Sequence, residues 1–238
     1  MSFILDNEQF QRVNELIKMN LEDIQRIFKI EENLYEKYIL PEIYSDPITE
    51  DFIVRRQTGA LVTLGGSGTL SNMCILYSLV RHYGFLKTLE TGVDSGFSTY
   101  FFILAAQKNK GQIVSIDILT DPRIAEYPLQ RFGDCENWNL IKGVDSLEQL
   151  KKMDRSFGLY SHDSLHKMYH MLKELDEFKK CELDRFVVFF DDQNSDNFWD
   201  FCLRNNLFKK KGYRVSFIKR TNVRFYDHMG GFILYEKE

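Results

Sequence analysis

The chain has 238 residues, 44% hydrophobic and 28% charged, with a formal net charge of -4. This composition fits one sizeable folded domain and gives no electrostatic reason to expect a nucleic-acid partner. It holds no run of about 18 uninterrupted apolar residues, so no membrane span is expected.

Met1 is followed by no basic segment leading into an apolar one, so no signal peptide is expected and the protein reads as cytoplasmic. The scattered cysteines Cys74, Cys135, Cys181 and Cys202 form no CxxC pair and read as reduced thiols. Residues 1 to about 40 carry helical periodicity. Phe10, Val13, Leu16 and Ile17 form one apolar stripe, and Ile24, Ile27 and Phe28 form another. Two prolines in "ILPEIYSDPITED" break this pattern, and the glycine-rich "LGGSGTLSN" leads into an apolar helix, "MCILYSLVRHYGF". Residues 1–70 are expected to be a helical extension and 71–238 the main domain. The extension would serve as a lid or a homo-oligomer contact, or its loop would be a solvated linker.

From Leu86 the rhythm changes to short apolar runs. Strands are expected at 86–90, 112–117, 138–143, 157–161, 185–191, 213–219 and 231–237. Helices fit between the first five, which implies a mostly parallel sheet covered on both faces. No helix separates the last two, so one edge should return antiparallel. The expected fold is a three-layer α/β sandwich with seven strands.

"LKTLETGVDSGFST" is the most informative stretch. A strand ends at Glu90, a turn carries Gly92 and Gly96, and a helix follows. Glycine there permits a tight turn and close approach of a ligand. Asp117 ends the next strand, 21 residues after Gly96, where a carboxylate can accept hydrogen bonds from a ribose diol. Neither GxGxxG nor a phosphate-loop motif is present, and the turn carries Glu90 and Asp94 with no basic residue. A pyrophosphate is disfavoured there and a cationic sulfonium is accommodated.

"LETGVDSGFST" resembles the first motif of class I S-adenosylmethionine-dependent methyltransferases, and "IVSIDI" and "LIKGVDSLEQL" resemble the second and third. "SHDSLHKMYHML" and "RFVVFFDDQN" are similar to the fourth and fifth strand ends of the small-molecule and sugar O-methyltransferase branch. The resemblance covers about residues 86–205. It implies a Rossmann-like sheet in the order 3-2-1-4-5-7-6 with the last strand antiparallel, S-adenosylmethionine as donor, and a small-molecule hydroxyl as acceptor, on a sugar or natural-product intermediate. By the same resemblance Glu90, Gly92 and Gly96 line the methionine end, Asp117 holds the ribose, and Asp145 and Ser146 flank the adenine. Thr91, Val93, Ser98, Thr99, Ile118 and His162 complete the implied donor contacts. Asp94 stands where many members have a middle glycine, which leaves the shape of this turn open.

"SFGLYSHDSLHKMYHML" places His162, His166 and His170 four residues apart, the spacing of a zinc-binding helix face. If "FGLYS" is a strand, however, His162 ends it, the helix begins near Leu165, and the three share no face. Asp163, Asp191 and Asp192 fall past the ends of neighbouring strands, where converging carboxylates suit Mg²⁺. The competing reading makes Asp163 a helix N-cap and the other two a solvated pair. In the resembling enzymes such aspartates hold a metal and D-x-x-H supplies a base, which matches Asp163 and His166. His170 is expected at the surface or behind the site. Two other functions stay open: a nucleotide-binding oxidoreductase, and an inactive methyltransferase-like binding subunit.

Overall fold

The computed structural model describes residues 8–49, 67–121, 123–191, 195–219 and 230–238. Asp192 and the glycines preceding Ser67 lie outside them.

Helix α1 (Glu8–Phe28) buries Ile17, Leu21, Ile24 and Phe28, spaced so that they share one face. It stops where Lys29 takes a left-handed φ of 55°. The chain then winds as a π-helix over Tyr35–Tyr44, with Pro41 inside it. The expected break at this proline is therefore absent, because the wider winding continues through a residue that lacks an N–H. Helix α2 (Ser67–Tyr83) is buried on every side from Leu70 to Val80. Arg81 clamps Glu42 with Nε at 2.8 Å and a second nitrogen at 2.9 Å, and the Tyr77 hydroxyl donates to the same carboxylate at 2.5 Å. This fork fastens the π-helix to α2. The expected domain boundary at 70/71 thus falls within a helix.

The sheet comprises β1 (Lys87–Thr91), β2 (Gln112–Asp117), β3 (Trp138–Lys142), β4 (Leu159–His162), β5 (Arg185–Asp191), β6 (Tyr213–Lys219) and β7 (Gly230–Lys237). Its order is β3-β2-β1-β4-β5-β7-β6, with β7 antiparallel to both neighbours. Helices α3 (Phe97–Asn109), α4 (Glu126–Phe132), α5 (Ser146–Leu150), α6 (Met168–Phe178) and α7 (Ser195–Arg204) complete the three layers. Along β5, Val187 and Phe189 join the core under α1, α2 and α3, while Phe186, Val188 and Phe190 join the core under α6 and α7. That two-sided burial explains why β5 reads as a continuous apolar run.

Several boundaries differ from expectation. β1 runs over Lys87–Thr91, β3 ends at Lys142, β7 starts at Gly230, and β4 runs over Leu159–His162, where Asp163 N still donates to Thr91 O at 2.8 Å. Helix α6 begins at Met168, with Lys167 extended before it at φ −107° and ψ 134°. Asp163 is therefore not its N-cap. Among the described residues no helix is long and apolar enough to cross a membrane.

Candidate active site

Parallel strands deliver their following loops to one edge, and here the loops after β1, β2, β3 and β4 enclose a cavity of about 370 Å³. Gly92 opens the first loop with φ 83°, and a Cβ there would stand 1.9 Å from the Asp163 carbonyl oxygen. Only glycine lets the β1 and β4 loops touch. Asp94 itself adopts the left-handed conformation, φ 46°, and its carbonyl accepts from Ala125 N at 2.7 Å. Aspartate tolerates this conformation better than most residues, so the turn closes without a middle glycine. Gly96 precedes α3 at φ 84°, packed against Pro128.

Asp117 fastens the turn from β2. Its Oδ2 accepts Val93 N at 2.8 Å and Asp94 N at 3.3 Å, and its Oδ1 accepts Leu119 N at 2.8 Å. Asp117 also lines the cavity, beside the largely exposed Ile118 and Leu119. Asp145, across the cavity, caps α5 by accepting Glu148 N at 3.1 Å. The ionisable lining groups are Asp94, Asp117, Asp145, Asp163 and His170, with no lysine or arginine among the lining residues.

Glu90 lies behind the turn, fully buried. It accepts hydroxyls from Ser98, from Thr99 at 2.6 Å and from Ser115 at 2.8 Å. Burial pushes its carboxyl up to about 7; the three hydroxyls pull it back and the Asp163 charge raises it further. Ser98 and Thr99 thus turn their hydroxyls onto Glu90, and neither they nor Glu90 are among the lining residues. Of the donor contacts that the sequence implies, Gly92, Val93, Asp117, Ile118, Asp145 and Ser146 are among the lining residues, and Thr91, Gly96 and His162 are not.

The histidine row divides among three elements: His162 ends β4, His166 follows it, and His170 lies in the first turn of α6. His166 Nε2 stands 3.4 Å from Asp163 Oδ1, with both side chains partly exposed. His162 and His170 converge on Glu174, a residue that the sequence reading overlooked. Glu174 is fully buried and accepts His162 Nδ1 at 2.5 Å and Thr91 Oγ1 at 3.1 Å on Oε2. On Oε1 it accepts His170 Nε2 at 3.1 Å and the Ser146 hydroxyl. Burial alone would raise its pKa, but the His162 ring and the donors from His162, His170 and Ser146 hold it well below the ordinary carboxylate range. A signal for Glu174 was present: it shares a helical face with Met171, Leu175 and Phe178, where a charge is out of place. His170, expected at the surface or behind the site, is buried and lines the cavity.

For the metal expectation, β4 and β5 pair His162 with Phe190, so Asp163 and Asp191 follow at adjacent strand ends. Asp191 is buried and Asp163 is partly exposed. Among the described residues no group of three His, Cys, Asp or Glu side chains forms a metal-holding set.

Residues 89–193 match the family model described as a methyltransferase domain. No curated protein matches the chain. Among solved structures, the O-methyltransferase TomG of Streptomyces achromogenes, involved in tomaymycin synthesis and bound to SAM, is 17% identical with a TM-score of 0.59, covering 85% of this chain and 95% of its own. An O-methyltransferase from Bacillus cereus in complex with SAH is 15% identical with a TM-score of 0.56, covering 94% of this chain and 99% of its own. An SAH-bound Podospora anserina methyltransferase is 14% identical with a TM-score of 0.53, covering 81% and 88% respectively. The sheet order, the glycine turn and these matches lead to one conclusion: the chain has the fold of the class I S-adenosylmethionine-dependent methyltransferases, and its residues 89–193 are similar to a methyltransferase domain.

Proposed function

We propose that this protein transfers the methyl group of S-adenosylmethionine to a hydroxyl of a small molecule. The carrying observation is the cavity beside the glycine turn, whose lining residues include four aspartates and no lysine or arginine. Such a site favours a ligand with a sulfonium and an ammonium and disfavours a pyrophosphate. Asp117, with three backbone donors on it, keeps room for a ribose hydroxyl among its roughly four acceptor positions. Asp145 faces the base.

The acceptor hydroxyl attacks in line. A carbon–oxygen bond forms as the sulfur–carbon bond breaks, sulfur keeps the electron pair, and the hydroxyl proton passes to His166. Asp163, 3.4 Å away, orients and supports that imidazole as it gains charge. Holding oxygen, carbon and sulfur in line is chiefly a proximity contribution. Asp163 and Asp191, with Asp192, would hold a Mg²⁺, which when bound would lower the pKa of the hydroxyl.

Calorimetry with S-adenosylmethionine, S-adenosylhomocysteine and NAD tests the donor assignment. The sulfonium donor should bind most tightly, its advantage over the neutral homocysteine product shrinking with salt. A response to NAD alone overturns the reading. Turnover that survives exhaustive chelation would remove the metal from the mechanism.

A further inference from the structure

Glu90 is a fully buried carboxylate that accepts three hydroxyls and, among the described residues, no cationic donor. Helix α3 offers it Ser98 and Thr99. Strand β2 offers Ser115, which itself accepts Trp138 Nε1 at 3.1 Å and so aims its own proton at the carboxylate. Asp117, two residues on, is turned to the amides of the glycine turn. Strand β4 sets Ser161 opposite Glu90 in register, with His162 turned to Glu174 and Asp163 beyond it. Burial raises the Glu90 carboxyl to about 7, where both of its forms are accessible near neutrality. The largest charge effect on it comes from Asp163, a cavity-lining residue, and opposes ionisation. A charge at the cavity therefore reaches Glu90, and a cation there acts in the opposite sense. Ser98, only partly buried, bonds Oε1 and gives the proton a way out.

We propose that Glu90 is a charge-responsive specificity residue, which gives its proton to solvent when the sulfonium donor binds and keeps it when the product, with its neutral sulfur, binds. The inference rests on the donor assignment above and names how that site tells donor from product. Gly92 and Val93, two and three residues beyond Glu90, line the cavity, so the donor's charge enters across the turn from it. Once the methyl group has left, nothing favours the anion and the proton returns. Preference for the donor then grows with pH, because at high pH the anion is already in place to meet the sulfonium, and at low pH its proton must first be expelled.

Calorimetry with S-adenosylmethionine and S-adenosylhomocysteine at about pH 7, in buffers of different ionisation enthalpy, counts the protons released. The unaltered protein should release more with the sulfonium ligand. Its preference for that ligand should rise roughly tenfold from about pH 5.5 to about pH 8, the effect of moving one pKa by about one unit. Glu90→Gln should sharply shrink both differences, and since it keeps His166 and His170, protons bound by them appear equally in both proteins. Ser115→Ala, which removes one hydroxyl from the anion, should carry the pH profile upward. Infrared difference spectra of the unaltered protein with ¹³C-labelled glutamate keep the test open if Glu90→Gln folds poorly. A protonated-carboxyl band should fade with S-adenosylmethionine and persist with S-adenosylhomocysteine. Equal proton release by the two ligands, an unchanged difference in Glu90→Gln, or a band that the sulfonium ligand leaves in place overturns the proposal and leaves the donor assignment intact. Failure of both ligands to bind the unaltered protein overturns the donor assignment itself.

Discussion

Glu90 and Glu174 are both fully buried carboxylates behind the same cavity, yet their environments push them in opposite directions. Glu90 has only hydroxyl donors, and burial prevails, bringing it to about 7. Glu174 has two imidazoles as well as hydroxyls, and their donated bonds and charge overcome burial. Neutral hydroxyl donors soften the cost of burying a charge, but offsetting it takes donors that can themselves become cationic. The turn side of the cavity therefore holds a carboxyl that titrates near neutrality, and the α6 side holds a persistent anion.

The seam between the two sides is the most fragile point. Gly92→Ala would drive a Cβ into the Asp163 carbonyl and also strain a positive φ. It should cost about 3 kcal/mol or more, read as a large drop in melting temperature with loss of donor binding. Glu174→Leu should follow, at roughly 3 kcal/mol, because it strands the imidazole and hydroxyl donors in the core. A melt within a degree of the unaltered protein would show that the network is dispensable.

The pH dependence sharpens the contrast. Because the folded pKa of Glu90 lies above its ordinary 4.5, it binds a proton more tightly when folded. Its contribution is complete below about 4.5 and fades as pH rises to about 7, up to roughly 3 kcal/mol in all. Glu174, with its pKa depressed, contributes above its unfolded pKa and loses that contribution as acid protonates it. Denaturant melts across pH 4 to 8 should therefore show Glu90→Gln gaining on the unaltered protein as pH rises. Parallel curves would refute the assignment for Glu90. The smallest effect belongs to Asp94→Gly, which relieves a left-handed φ of 46°. It should change stability by about 1 kcal/mol or less, and it should weaken binding of the cationic donor by removing a lining carboxylate.

Periodicity and turn chemistry determined the outline of this protein without help from the structure. The bounds of β2, β5 and β6 were legible residue for residue: β5 is buried on both faces and so continuously apolar after Arg185, whereas β6, a half-exposed edge strand, shows in its β-branched and aromatic residues. Gly92 and Asp117 were legible at strand ends that open onto one edge, and Asp145 through the family resemblance; all three line the cavity. Only the tertiary structure decided what the histidine row does. His162 and His170 sit on different elements and meet on Glu174, a partner that no local spacing rule assigns to a strand residue. The passage of the π-helix through Pro41 and the adoption of a glycine's conformation by Asp94 were likewise set by packing. Short-range pattern encodes which face a residue turns to the core, whereas the partners of a buried charge depend on which strand ends the fold brings together.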